Sequence, residues 1–200
     1  MALRRLSTSS IQTNGKSSKL WDQTTFQSGM FALATVSLTS TASSVTFSGI
    51  PADYTHLQIR AIARSNRAST VDVVKLNLGN GSADTAANYS WHQLYGTGSA
   101  AGASAAASAS TIELPVISAS SASTGIFGLM VLDILDYQNT NKYKTVRGFA
   151  ASDQNGSGEL DFCSGSWRSF SSINVVSLAP RTGTLFEQYS SFALYGIKTG

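Results

Sequence analysis

Two histidines, one cysteine and eleven carboxylates are the main side chains with which this 200-residue chain could do chemistry. His56 follows Asp53 closely in a chain crowded with serines, so a Ser-His-Asp set can be drawn on paper. No G-x-S-x-G elbow presents a nucleophile, however, and no serine stands apart from the rest. His56 and His92 both fall in β-like runs, where a histidine hydrogen-bonded to a neighbour is the simpler reading. Cys163 ends the stretch Leu160-Asp161-Phe162-Cys163 and reads as a small buried hydrophobe, because nucleophilic use needs a basic partner that the sequence does not identify. A lone cysteine also excludes an internal disulfide and a cysteine-rich metal site. Asp133 and Asp136 flank Ile134-Leu135 in the most apolar run. A glycosidase needs two carboxyls facing each other across a cleft, and residues three apart along a strand point to opposite faces. Asp136 is better read as opening the turn 136–141.

Asp153-Gln154-Asn155-Gly156-Ser157-Gly158-Glu159 imitates the start of a calcium loop, with oxygen ligands at alternate positions and a glycine at the sixth. The match fails at position twelve, which is Ser164 rather than a bidentate Glu, and Asn155-Gly156 is a standard hairpin pair. The hairpin is the preferred reading. Gly15-Lys16-Ser17 lacks the upstream glycine and strand of a phosphate loop. Three Asn-x-Ser triplets, at Asn80, Asn88 and Asn155, are expected by chance in a serine-rich chain. No cofactor, metal or catalytic residue is assigned, and an enzyme has no positive support.

The elements that would position these residues are short and β-like. Runs fall at Phe31–Leu38, Val45–Phe47, His56–Arg64, Val71–Leu78, Tyr89–Tyr95, Ile112–Ile117, Ile126–Leu135, Tyr143–Ala150, Glu159–Trp167, Ile173–Leu178 and Ser191–Ile197. Gly79-Asn80-Gly81 is a strong turn signal. Pro115 marks an edge strand or a bulge, and 126–135 reads as the centre of a sheet. The segment Gly98–Ser110, almost wholly Gly, Ala and Ser, reads as a displayed loop in preference to a strand packed where only small side chains fit. No window shows a helical stripe. The expected fold is all-β: a single antiparallel β-sandwich over 29–200, jelly-roll-like, behind an extended polar arm at 1–28.

Charged residues make up only 12% of the chain against 42% hydrophobic and 10% aromatic, and Ser and Thr supply about a quarter. That composition argues against disorder and against long helices. A chain of this length buries roughly 70% of its unfolded surface without a disulfide or metal. The net charge of +3 is uneven: Arg4, Arg5, Lys16 and Lys19 give the first twenty residues +4, and the remainder sums to −1. With Trp21 as an anchor, these residues are the candidate partner-binding arm, for protein or possibly nucleic acid. The near-neutral body lacks the basic-aromatic interleaving of single-strand binders. The longest early apolar stretch, Met30–Leu38, is too short to cross a bilayer. The basic start is followed by Ser7–Ser10 rather than an apolar region, so neither a membrane nor an export signal is expected.

Several phrases are more specific than composition: Ile50-Pro51-Ala52-Asp53-Tyr54-Thr55-His56-Leu57-Gln58-Ile59-Arg60 with Ala63-Arg64-Ser65, Ala87-Asn88-Tyr89-Ser90, Asp133-Ile134-Leu135-Asp136-Tyr137, Asn141-Lys142-Tyr143-Lys144-Thr145, Ser164-Gly165-Ser166-Trp167 and Ala193-Leu194-Tyr195-Gly196-Ile197-Lys198. Together, over Ile50–Lys198, the chain resembles a group of structural proteins of tailed bacteriophages, particularly aquatic ones. The resemblance implies a virion protein assembled in the bacterial host cytoplasm and transfers no catalytic site. The expected role is a capsid decoration protein on the head surface, trimeric at a local threefold position, whose arm lies along the major capsid protein. The alternative is a tail or fibre component that binds carbohydrate through Trp91, Tyr95 and Trp167, although all three read first as core or interface residues and a chain without coiled coil or repeat is short for a fibre.

Overall fold

The structure is a computed structural model and describes residues 29–198. The basic arm, including Arg4, Arg5, Lys16, Lys19 and Trp21, therefore lies outside the described residues. Thirteen strands follow in order: β1 (Met30–Ser37), β2 (Val45–Ser48), β3 (His56–Ala63), β4 (Val71–Asn80), β5 (Ser82–Ala83), β6 (Tyr89–Gly96), β7 (Ala101–Ala109), β8 (Ile112–Ser118), β9 (Gly128–Leu135), β10 (Lys144–Asp153), β11 (Gly158–Trp167), β12 (Val175–Pro180) and β13 (Ser191–Ile197). No helix occurs among the described residues. All thirteen strands belong to one compact unit, Met30–Thr199.

Period-two alternation decides which face each strand buries. In β3, Leu57, Ile59, Ala61 and Ala63 are buried while Gln58, Arg60 and Ile62 point away; in β9, Met130, Leu132 and Ile134 do the same opposite Leu129, Val131 and Asp133. Pairing these strands in register builds an eight-stranded antiparallel sheet, ordered β1-β13-β3-β9-β10-β11-β6-β7. A smaller sheet, β2-β12-β4-β5 with β8 also on β4, covers its inner face. The two form a β-sandwich, and the core between them gathers Val45, Phe47, Leu76, Leu78, Leu114, Val176 and Leu178 from one side and the β3, β9, β10 and β13 residues from the other. Each large side chain so buried contributes about 1.5–3 kcal/mol.

β9 sits fourth of eight, the central position its apolar run implies. β8 pairs only with β4, and its register jumps from Glu113 to Val116, so the backbone around Pro115 shows both an edge strand and a bulge. Asn155 and Gly156 have φ of 58° and 101°, and Gln154 N donates to Ser157 O at 2.9 Å. That is the two-residue hairpin turn joining β10 to β11.

The segment expected as a displayed loop is instead strand β7, laddered onto β6 from Ala101–Gly96 to Ala109–Tyr89. The ladder uses backbone groups, so side chains without an apolar stripe do not prevent it. Its small residues also have a packing reason: a Cβ at Gly102 would lie 2.4 Å from the Tyr95 ring. A bulge at Ser108, with φ of 52°, absorbs the register shift opposite Tyr89–Trp91.

β8 approaches the larger sheet so closely that two glycines are required there. A Cβ at Gly128 would stand 2.7 Å from Ser118 N and 2.8 Å from Ile117 Cα, and one at Gly165 2.6 Å from the Ile112 side chain. Gly96, by contrast, faces open space. Gly128→Ala is expected to lower unfolding free energy by about 1–3 kcal/mol through overpacking against backbone, and Gly96→Ala by no more than about 0.5 kcal/mol. Urea unfolding of the two variants side by side checks the difference.

Candidate interaction surface

The outer face of the eight-stranded sheet has no layer over it among the described residues, yet two of its cross-strand rows are largely apolar. One runs Ile62–Leu129–Ala151–Leu160 across β3, β9, β10 and β11. The next runs Ala193–Arg60–Val131–Phe149–Phe162–Leu94–Ala103 from β13 to β7. Ile62, Phe162 and Leu94 are 54%, 53% and 58% exposed. Phe149 and Phe162 stack with centroids 5.2 Å apart, a pair on the solvent side of the sheet. A third row, Gln58–Asp133–Arg147–Ser164–His92, is polar, with Asp133 accepting from Gln58 Nε2 at 2.8 Å and from Arg147 Nε at 2.9 Å. The small side chains of β7 leave a shallow recess of about 640 Å³ beside Leu94, Phe162, His92, Ala103 and Ala105. Ile62, Leu94, Leu129, Leu160 and Phe162, each about half exposed, present roughly 500 Å² of apolar surface across these two rows.

The residues singled out for chemistry do not converge. His56 Nδ1 accepts from Asp136 N at 2.9 Å and stands 3.3 Å from its carboxylate, so its partner is Asp136 in the turn after β9. His92 lies on the outer face, two residues from Leu94. Asp133 belongs to the outer-face row, whereas Asp136 occupies the turn after β9 with φ of 48°. The ion pair and hydrogen bond from Lys142 hold the Asp136 carboxyl below the usual range, against the opposing effect of burial. Asp153 Oδ1 accepts from Asn155 N, a turn contact. Trp91 and Trp167 are core residues, 7% and 3% exposed, so they are not available to stack on a sugar. Cys163 points inward from β11, and burial pushes its thiol up to about 12.

Buried and half-buried polar groups instead fix loops. Asp72 is fully buried and accepts from Ser65 Oγ, Val73 N, Thr182 N and Gly183 N at 2.9–3.2 Å. Arg64 donates to the carbonyls of Ser120, Ala122, Ser123 and Ile126 and so shapes the β8–β9 connection. Asp84 accepts from Trp167 Nε1, Asn88 Nδ2 and Ala86 N; burial pushes its carboxyl up, but these three bonds outweigh it and hold the carboxyl below the usual range. Lys144 is fully buried and donates to the carbonyls of Asn139 and Lys142; burial and the Lys142 charge lower its pKa.

One constellation was not legible as a site. Glu159 and Asp161 stand two apart on β11, so both carboxyls face inward, where Gln93 Nε2 and Val116 N each donate to Asp161 Oδ2 at 2.9 Å. The signal was present as acid-x-acid inside a strand, but the pair was divided between a turn motif and the run around Cys163. No group of three or more His, Cys, Asp or Glu side chains is placed to hold a metal ion among the described residues. Comparison with protein-family models, curated proteins and solved structures finds no match.

A thiol raised from 9.0 to about 12 is almost wholly protonated at neutral pH. Native Cys163 is therefore expected to react with a thiol reagent about a thousandfold more slowly than in the urea-unfolded chain, measured as the release rate of a chromogenic disulfide.

Proposed function

We propose that this chain is a structural protein of a tailed-bacteriophage virion, and specifically a capsid decoration protein that caps neighbouring subunits of the head. The observation that carries the reading is the pair of apolar rows on the outer face of the eight-stranded sheet, a surface suited to lying against another protein. The resemblance over Ile50–Lys198 supplies the virion setting. Its phrases meet in space at one end of the sandwich: Tyr137 Oη donates to Pro51 O, Asp136 N to His56 Nδ1 and Lys142 Nζ to Asp136. They are contacts that hold loops, which agrees with a resemblance that transfers no catalytic residue. The chain also passes repeatedly between the sheets, from β1 to β2, β2 to β3, β3 to β4, β5 to β6, β7 to β8, β8 to β9, β11 to β12 and β12 to β13. That alternation supports the jelly-roll-like relationship.

In this reading the major capsid protein is the partner, a homotrimer at a local threefold axis is the assembly, and residues 1–28 with Arg4, Arg5, Lys16, Lys19 and Trp21 form the gripping arm. The tail or fibre alternative loses two of its three sugar-stacking aromatics to the core, since only Tyr95 is not fully buried.

The test is to add tagged protein to particles lacking it and locate the tag by electron microscopy. Signal over the whole head is expected. The double substitution Leu94→Ser/Phe162→Ser is expected to remove it while changing unfolding free energy by no more than about 1 kcal/mol, because both side chains are half in water already. Signal confined to the tail replaces decoration with the tail reading, and full occupancy by the double variant overturns the outer-face contact. A chain lacking residues 1–28 that decorates normally discards the arm.

A further inference from the structure

Asp161 is fully buried at one end of the core, and one of its two carboxyl oxygens is well supplied. Oδ2 accepts from Gln93 Nε2 on β6 and from Val116 N on β8. Oδ1 meets no hydrogen-bond donor. The carboxyl within hydrogen-bonding reach is that of Glu159, on the same face of β11. Glu159 also lines a recess of about 360 Å³ with Ser152, Asp153, Thr97 and Gly158, so it stands between Asp161 and water. Two ionised carboxyls in contact, one of them dry, repel each other, and a buried acceptor without a donor is costly. A single proton between them removes one charge and gives Oδ1 its donor.

The surrounding groups do not supply that neutralisation. β6 offers Gln93, β8 a backbone amide, and β10 Ser152, whose hydroxyl is engaged with Ser118 Oγ at 2.8 Å. Arg67 attracts Glu159 from a distance, but its guanidinium donates to Val71 O and stands 3.8 Å from Asp72. Asp153 is on the hairpin turn, and Cys163, the next inward residue of β11, is a protonated thiol.

We propose that Glu159 and Asp161 share one proton and form a pH-sensitive latch, which holds the β10–β11 hairpin tip against β6 and β8 when protonated and loosens it when the proton is lost. Leu160, between the two acids, points to the outer face, so the latch sits directly behind the apolar rows. Burial and then the Asp161 charge push the Glu159 carboxyl from its ordinary 4.5 up to about 7, and burial raises Asp161 as well. The folded chain therefore binds more protons than the unfolded chain between those values. Through Glu159 its stability is full below that group's ordinary value and falls as pH rises toward about 7.

The experiment follows the urea midpoint of the full chain from about pH 4 to about pH 9, together with the carboxyl-carbon NMR titration of Glu159. The wild type is expected to lose stability across that window, with Glu159 titrating near 7 and backbone amides of 152–162 exchanging faster above it after correction for intrinsic rates. Glu159→Gln is expected to remove the step and to be more stable than wild type at the alkaline end. A Glu159 carboxyl that titrates at its ordinary value, or a step that survives in Glu159→Gln, overturns the proposal, and the NMR titration needs no variant to fold. Millimolar calcium alone, added at the alkaline end, is expected to leave the midpoint unchanged. A rise in wild type that is absent from Glu159→Gln would assign the gap to a cation and overturn proton sharing.

Discussion

The close approach of β8 to the larger sheet is the constraint on which the remaining architecture turns. Among the strands β8 ladders only with β4, yet Ile112, Leu114 and Ile117 are fully buried against strands of the opposite sheet. Backbone-to-backbone proximity at Gly128 and side-chain proximity at Gly165 leave no room for a Cβ. Interiors at native density transmit such a demand, because neither layer can recede without opening a void. The same approach brings Val116 N to Asp161 and Ser118 Oγ to Ser152. Polar contacts between the layers are thus a product of how near the layers lie.

The chain spends its few charged residues on connections. Asp72 and Arg64 gather partners from loops distant in sequence, while Asp84 and Lys144 gather mainly neighbours within five residues. A buried charge is tolerated only when its hydrogen-bonding capacity is filled. One well-placed charge can therefore define a loop that has no regular structure of its own. This explains how long irregular stretches such as 119–127 and 181–190 hold fixed positions with little secondary structure.

Eleven of the thirteen strands were legible because they alternate, and alternation records a buried face. β7 was missed because Ala, Ser and Gly record neither face, and β5 because two residues carry no period. Boundaries slipped where a strand ends in polar residues, as at Ser152–Asp153 of β10. The hairpin at Asn155-Gly156 could be read because positive φ restricts the choice of residue. The outer apolar rows could not, since each strand contributes one or two residues and the row exists only once register is known. Asp161 was hidden for a related reason: nothing in Leu160-Asp161-Phe162 says that Val116 and Gln93 will arrive there. Trp91 and Trp167 read as core or interface residues, and both are in the core, because large aromatics on an alternating strand fall on its buried face.

The way β7 is held has a consequence for how such a protein diverges. A strand fastened through its backbone, with side chains that touch little, places few demands on its own sequence. Ala, Ser and Thr can exchange at its exposed positions, whereas Gly102 lies beneath Tyr95 and Ala106 and Ala109 pack against the core. Ancestry in this molecule is therefore written unevenly: at sparse fixed points such as Gly128, Gly165, Asp72 and Arg64, separated by stretches where substitution leaves no trace. Kinship between two such chains would outlast their sequence identity, surviving as the spacing of those points.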